Sequence, residues 1–120
     1  MPLRRTLTKL DGVVYIDDWK VAPSVSGYSF EANDTTPSVA QGIKFKTANT
    51  SSTTITDFDG TLGDYHEVTV FVNDNYTTVA HDATKIEIPG DTNITFQTGD
   101  IFKILSMDGI WYLSLVRFQT

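Results

Sequence analysis

The segment with the least conformational choice lies near the end of the chain. It runs Gly99-Asp100, then IFKILSM, then Asp108-Gly109, then IWYLSLVRF. An Asp-Gly pair between two apolar runs tolerates the positive φ angles that a two-residue type I′ turn demands. Taking that pair as the loop sets Met107 opposite Ile110, Leu105 opposite Tyr112 and Ile101 opposite Val116. Side chains alternate across a sheet. One face therefore carries Phe102, Ile104, Trp111, Leu113 and Leu115, with Ser106 its one polar group, and is the predicted core. The other carries Ile101, Lys103, Leu105, Tyr112, Ser114 and Val116, which is too apolar for an ordinary solvent face. At the base Asp100 is expected to face Arg117 as a cross-strand ion pair.

Composition extends this reading to the whole chain. Thr, Val and Ile supply 37 of 120 residues, against 6 Ala and 7 Leu. Branching at Cβ stiffens χ1, disfavours helices and suits a pleated surface. No window of a dozen residues shows helical apolar spacing, so the chain is expected to be all-β. Asp11-Gly12, between TLTKL and VVYID, predicts a second two-faced hairpin. Further strands are expected over residues 39–47, with Ile43 and Phe45 alternating with Lys44 and Lys46. Others are expected over 67–73, 76–81, 85–88 and 94–97, with a weak buried strand at Thr54-Ile55-Thr56. Gly60 to Asp64 and Pro89-Gly90-Asp91 punctuate them as turns. Short strands at this spacing predict a small antiparallel β-sandwich or barrel-like packing. Residues 24–38, rich in Ser, Thr, Pro and Asn, are expected to form a linker or extended arm.

Length and charge exclude several classes. A chain of 120 residues suits one modest core. Zero cysteines exclude a disulfide framework, a thiolate metal site and a cysteine nucleophile. A formal charge of −6 argues against nucleic-acid binding, which needs a basic face. No apolar run reaches the length of a membrane span, and no apolar stretch follows Arg4-Arg5, so neither membrane insertion nor a secretory leader is expected.

Several motifs invite chemistry. Asp57-Phe58-Asp59-Gly60-Thr61 matches the nucleophile loop of haloacid-dehalogenase-like phosphatases, but the chain lacks the βαβ units that loop requires, and a turn is the expected reading. Asp57, Asp59 and Asp64 do not follow the EF-hand spacing, and no metal or other cofactor is assigned. His66 and His81 show no spacing that indicates a catalytic base, and no catalytic residue is assigned. Four sequons, at Asn33, Asn49, Asn75 and Asn93, are read as turn chemistry. Trp19, Tyr28, Tyr65 and Tyr76 are flanked by polar residues and are candidate glycan contacts.

From Thr36 onward the pieces TTPSVAQGIKFKTANTSSTTITDFDGTLGDYHEVTVF and NYTTVAHDATKIEIPGDTNITFQTGDIFKILSMDGIWYLSLVRF resemble, in order and spacing, a carboxy-terminal module of bacteriophage tailspikes and tail fibres. At Asp64-Tyr65-His66 this chain departs from the Gly-Gln usual there. The resemblance implies a non-enzymatic, jelly-roll-like β module over residues 36–120 that assembles as a homotrimer. It also implies a place in the virion tail after synthesis in the bacterial cytoplasm, with an upstream spike or other tail proteins as partners. Host surface polysaccharide is a further expected partner. Residues 1–35 match less well and are assigned to an N-terminal hairpin and arm. Two-faced strands need a second cover, and a symmetric copy supplies one. The residues expected at that trimer contact are Ile101, Leu105, Tyr112 and Val116.

Overall fold

A computed structural model describes residues 27–118. The N-terminal hairpin expected around Asp11-Gly12, and Trp19, lie outside them. Among the described residues the chain is all-β, with nine strands and no helix. They are β1 (Tyr28–Ser29), β2 (Lys44–Lys46), β3 (Thr53–Ile55), β4 (Glu67–Phe71), β5 (Thr77–Val79), β6 (Ile86–Glu87), β7 (Ile94–Thr95), β8 (Ile101–Met107) and β9 (Ile110–Arg117). A large sheet has the order β1-β2-β4-β8-β9-β6, and a small one β3-β5-β7.

The sheets are mixed rather than antiparallel. β1 with β2, β2 with β4, β9 with β6 and β3 with β5 all pair parallel. The cause is the route of the chain. From β2 to β8 each successive strand changes sheet, so a strand's sequence neighbour lies across the core and not beside it. β8 and β9 form the one antiparallel hairpin of consecutive strands among the described residues.

The hairpin turn has the expected geometry, with Asp108 at φ 54° and Gly109 at φ 80°. Pairing follows the expected register from Met107–Ile110 through Leu105–Tyr112 to Phe102–Leu115. It then breaks. A bulge inserts one residue, so Arg117 and not Val116 lies across from Ile101. The Arg117 guanidinium donates to the Gly99 carbonyl at 3.2 Å. The same bulge turns the strand end outward, and Leu115, expected in the core, is exposed. Ile43 is also exposed, because β2 begins only at Lys44.

One core lies between the sheets. Phe45, Val68, Val70, Phe102, Ile104, Trp111 and Leu113 come from the large sheet, and Ile55 and Val79 from the small one. Phe96 stacks on Phe102 at 4.8 Å between ring centroids. Part of the expected linker belongs to this body. Tyr28–Ser29 pairs with β2, and Phe30 is buried and stacks on Phe45 at 5.0 Å.

Polar ties hold the loops. The Asn33 side-chain oxygen accepts from the Thr50 and Ser51 amides and the Thr53 hydroxyl. Asn49 accepts from the Asn33 amide and Asn75 and Asn93 likewise accept from neighbouring amides, so all four sequon side chains serve the backbone. Asp74 is a buried node. Its carboxylate accepts from the Asn49 and Tyr76 amides and the Thr77 hydroxyl at 2.8–2.9 Å. Burial pushes this carboxyl up, but hydrogen bonds from Thr47, Tyr76, Asn49 and Thr77 together outweigh it and hold the group below the ordinary aspartate value.

Two outcomes test this account. A carboxylate held low in the folded state stabilises the fold above its unfolded value of 3.8, and that contribution disappears as pH falls through the folded value. Asp74→Asn is expected to flatten this acid limb in urea titrations and to cost about 1–3 kcal/mol at neutral pH. Gly60, at φ 77°, has no room for a side chain, because an added Cβ would lie 2.9 Å from Ala40 Cβ and Ser38 Oγ. Gly60→Ala is expected to lose about 1–3 kcal/mol. The loss should exceed that of Gly109→Ala, where the added methyl meets open space.

Candidate functional site

The face of the large sheet turned away from the core is the candidate site. Alternation along β4, β8 and β9 sends valines, Phe102, Ile104, Trp111 and Leu113 inward and every second residue outward. Cross-strand pairing arranges the outward residues in rows. One row runs Lys46, Phe71, Ile101, Arg117, and the next Lys44, Thr69, Lys103, Ser114. A third runs Glu67, Leu105, Tyr112, Glu87, and Met107 and Ile110 follow at the hairpin end.

This face is unusual for the chain in two respects. It is half wetted yet apolar: Tyr112 is 43% and Val116 54% exposed, and Ile101, Leu105, Met107 and Ile110 are half-buried. It is also where the cations gather. Four of the five basic residues among the described ones, Lys44, Lys46, Lys103 and Arg117, stand in the first two rows. None of the three lysines has an acidic partner among the described residues.

The four residues expected at an assembly contact thus share one face, though the bulge moves Val116 off the row of Ile101. Among the described residues, the expected glycan contacts do not share a site. Tyr28 sits on the β1 edge, Tyr65 in the loop before β4 at φ 69°, and Tyr76 at the entry to β5. Tyr28 lines two cavities at the β1 edge. The basic rows were not legible in sequence, because Lys44 and Lys103 meet only through β4. The lone local signal was Lys44 and Lys46 flanking buried Phe45.

No protein-family model, curated protein or solved structure matches this chain.

The other tempting groups are occupied by structural duties. The Asp57 carboxylate accepts from the Phe58 amide, and the Phe58 carbonyl accepts from the Trp111 indole at 3.1 Å. The Asp59 backbone bridges to the segment from Pro37 to Val39. Buried His66 accepts from the Leu62 amide at Nδ1, which leaves Nε2 to donate to the Gly42 carbonyl at 2.9 Å.

A grouping not foreseen in the sequence is His81, Glu87 and Asp91, whose potential ligand atoms lie within 4.8 Å of one another. Its wiring opposes a metal. His81 Nδ1 accepts from the Ile88 amide at 3.2 Å, so the neutral ring carries its proton on Nε2, which faces Asp91 at 3.7 Å. A cation at Nε2 would need the tautomer whose Nδ1–H meets the Ile88 N–H head-on. Among the described residues, no helix is long and apolar enough to cross a membrane.

Equimolar zinc is accordingly expected to leave the thermal midpoint unchanged at neutral pH in a dye-monitored melt. A rise abolished by His81→Ala would show that the ring turns over to accept the ion.

Proposed function

We propose that this chain is a structural, non-enzymatic module that assembles as a homotrimer, as in the bacteriophage tailspikes and tail fibres whose carboxy-terminal modules its sequence resembles. In this reading it is a sandwich-like unit of the virion tail that joins three copies. The observation that carries it is the apolar outward face of β8 and β9. The two longest strands are sealed on one side and half open on the other.

Leu105 and Tyr112 are cross-strand neighbours at the middle of that face, and Met107 and Ile110 extend it toward the turn. Their burial against a second copy would complete a two-sided core without disulfides, which a cysteine-free chain cannot form. The short edges, two residues each at β1 and β6, offer little backbone for strand addition. Association therefore runs face to face in this reading. Contact with host polysaccharide is a second role, favoured by Tyr28, a residue 42% exposed that lines two cavities at the β1 edge.

Multi-angle light scattering at micromolar concentration is expected to give three times the chain mass. Leu105→Lys is expected to shift the mass toward one chain, because an unpaired charge in a dry contact costs about 3–5 kcal/mol. A monomeric wild-type protein, or full assembly of the Leu105→Lys variant, would overturn the reading.

A further inference from the structure

We infer that the β1–β2–β4 end of the outward face is a binding site for a carboxylate-bearing sugar unit, as found in an acidic polysaccharide. The inference deepens the glycan-contact reading and rests on that reading, not on assembly. A cavity of about 310 Å³ opens there, lined by Gly27, Tyr28, Lys44, Phe45, Lys46 and Phe71. That volume is at the small end for ligand sites and suits one compact group.

Its chemistry is specific. Phe71 is 40% exposed and pairs with Lys46 on the outward face, whereas the Tyr28 ring packs beside Phe45 on the inner side and Tyr28 borders the cavity from the β1 edge. The flat Phe71 ring offers an apolar surface to the C–H face of a pyranose. Lys44 and Lys46 point outward from β2 on either side of buried Phe45, about 7 Å apart by strand rise. Lys103 lies in the row of Lys44, two strands away. A chain of net charge −6 that sets four cations in two adjacent rows, with no acid among the three lysines' partners in the described residues, has built a local field opposite to its overall one. Gly27 precedes β1 beside Lys44, and the missing side chain keeps the floor of the cavity open.

A peptide fits this site less well. Extended peptides bind by adding a strand, and the β1 edge is only two residues long. A phosphate polymer would satisfy the lysines but leave the Phe71 ring unused. The site borders the proposed assembly contact at one point, where Phe71 pairs with Ile101, while Leu105 and Tyr112 lie two rows from Phe71.

The test is calorimetry of the full chain with an oligogalacturonate, beside the neutral galacto-oligosaccharide of the same linkage, polyglutamate and a glycerol-phosphate polymer. Oligogalacturonate is expected to bind about tenfold more tightly than each of the other three. The double variant Lys44→Gln/Lys46→Gln should lose about tenfold, as should Phe71→Ser, with thermal midpoints unchanged. Affinity should fall between about 0.01 and 0.15 M ionic strength. No binding of oligogalacturonate overturns the inference, as do equal affinity for any of the other three probes and full binding by the double variant. Light scattering on the same samples separates the two readings. Binding by a monomer leaves the site and removes the assembly, whereas a trimer that ignores oligogalacturonate does the reverse.

Discussion

The pairing of β8 with β9 is the constraint on which the rest of the structure depends. Both strands alternate strictly, and the turn at Asp108-Gly109 pins their register. A slip of one residue would exchange the faces, sending Phe102, Ile104, Trp111 and Leu113 into solvent. β8 also pairs with β4, which carries three of the core valines or their immediate extension, Val68, Val70 and Val72. Through β4 the hairpin fixes β2 and β1, and through β9 it fixes β6. The small sheet then closes over this surface through Ile55, Val79 and the Phe96–Phe102 stack.

Polar chemistry does for the loops what cystines and long strands do elsewhere. Asn33, Asn49 and Asp74 tie the segments around residues 31–34, 49–53 and 73–77 to one another. Each bond alone contributes about 0.5–1.5 kcal/mol, and burial raises the cost of breaking the shared node at Asp74. The abundance of Thr and Asn in the sequence is therefore a structural resource as much as a strand preference. On the outer side of the small sheet, Thr78 and Thr95 bond across strands at 2.9 Å in the same manner.

Local alternation made much of the fold legible before any coordinates. The type I′ turn, the buried valines of β4 and the inner face of the hairpin follow from period-two patterning and one dipeptide. What was hidden depended on distant partners. Parallel pairing of β2 with β4 and β3 with β5 leaves no mark on neighbouring residues, so an antiparallel arrangement was expected. The bulge at Val116 has no Gly or Pro to announce it. Residues 28–30 looked like linker because their neighbours are polar, yet Phe30 finds Phe45 across the sheet. The same limit applies to function: the outward apolar residues of β8 and β9 were visible in sequence, whereas the lysine rows needed β4 between them.

The alternating path of the chain between two layers has a consequence for how the protein is made. From β2 through β7, no strand can find its sheet partner in the next strand along the chain. The hairpin that can close on its own follows all of them in the chain. Early strands must wait, with their greasy sides uncovered, until the template for the larger layer arrives. Folding of such a topology is slow, because loop entropy is spent before contacts return it. The polar Thr- and Asn-rich stretches between strands therefore also serve as solubilising spacers during that wait.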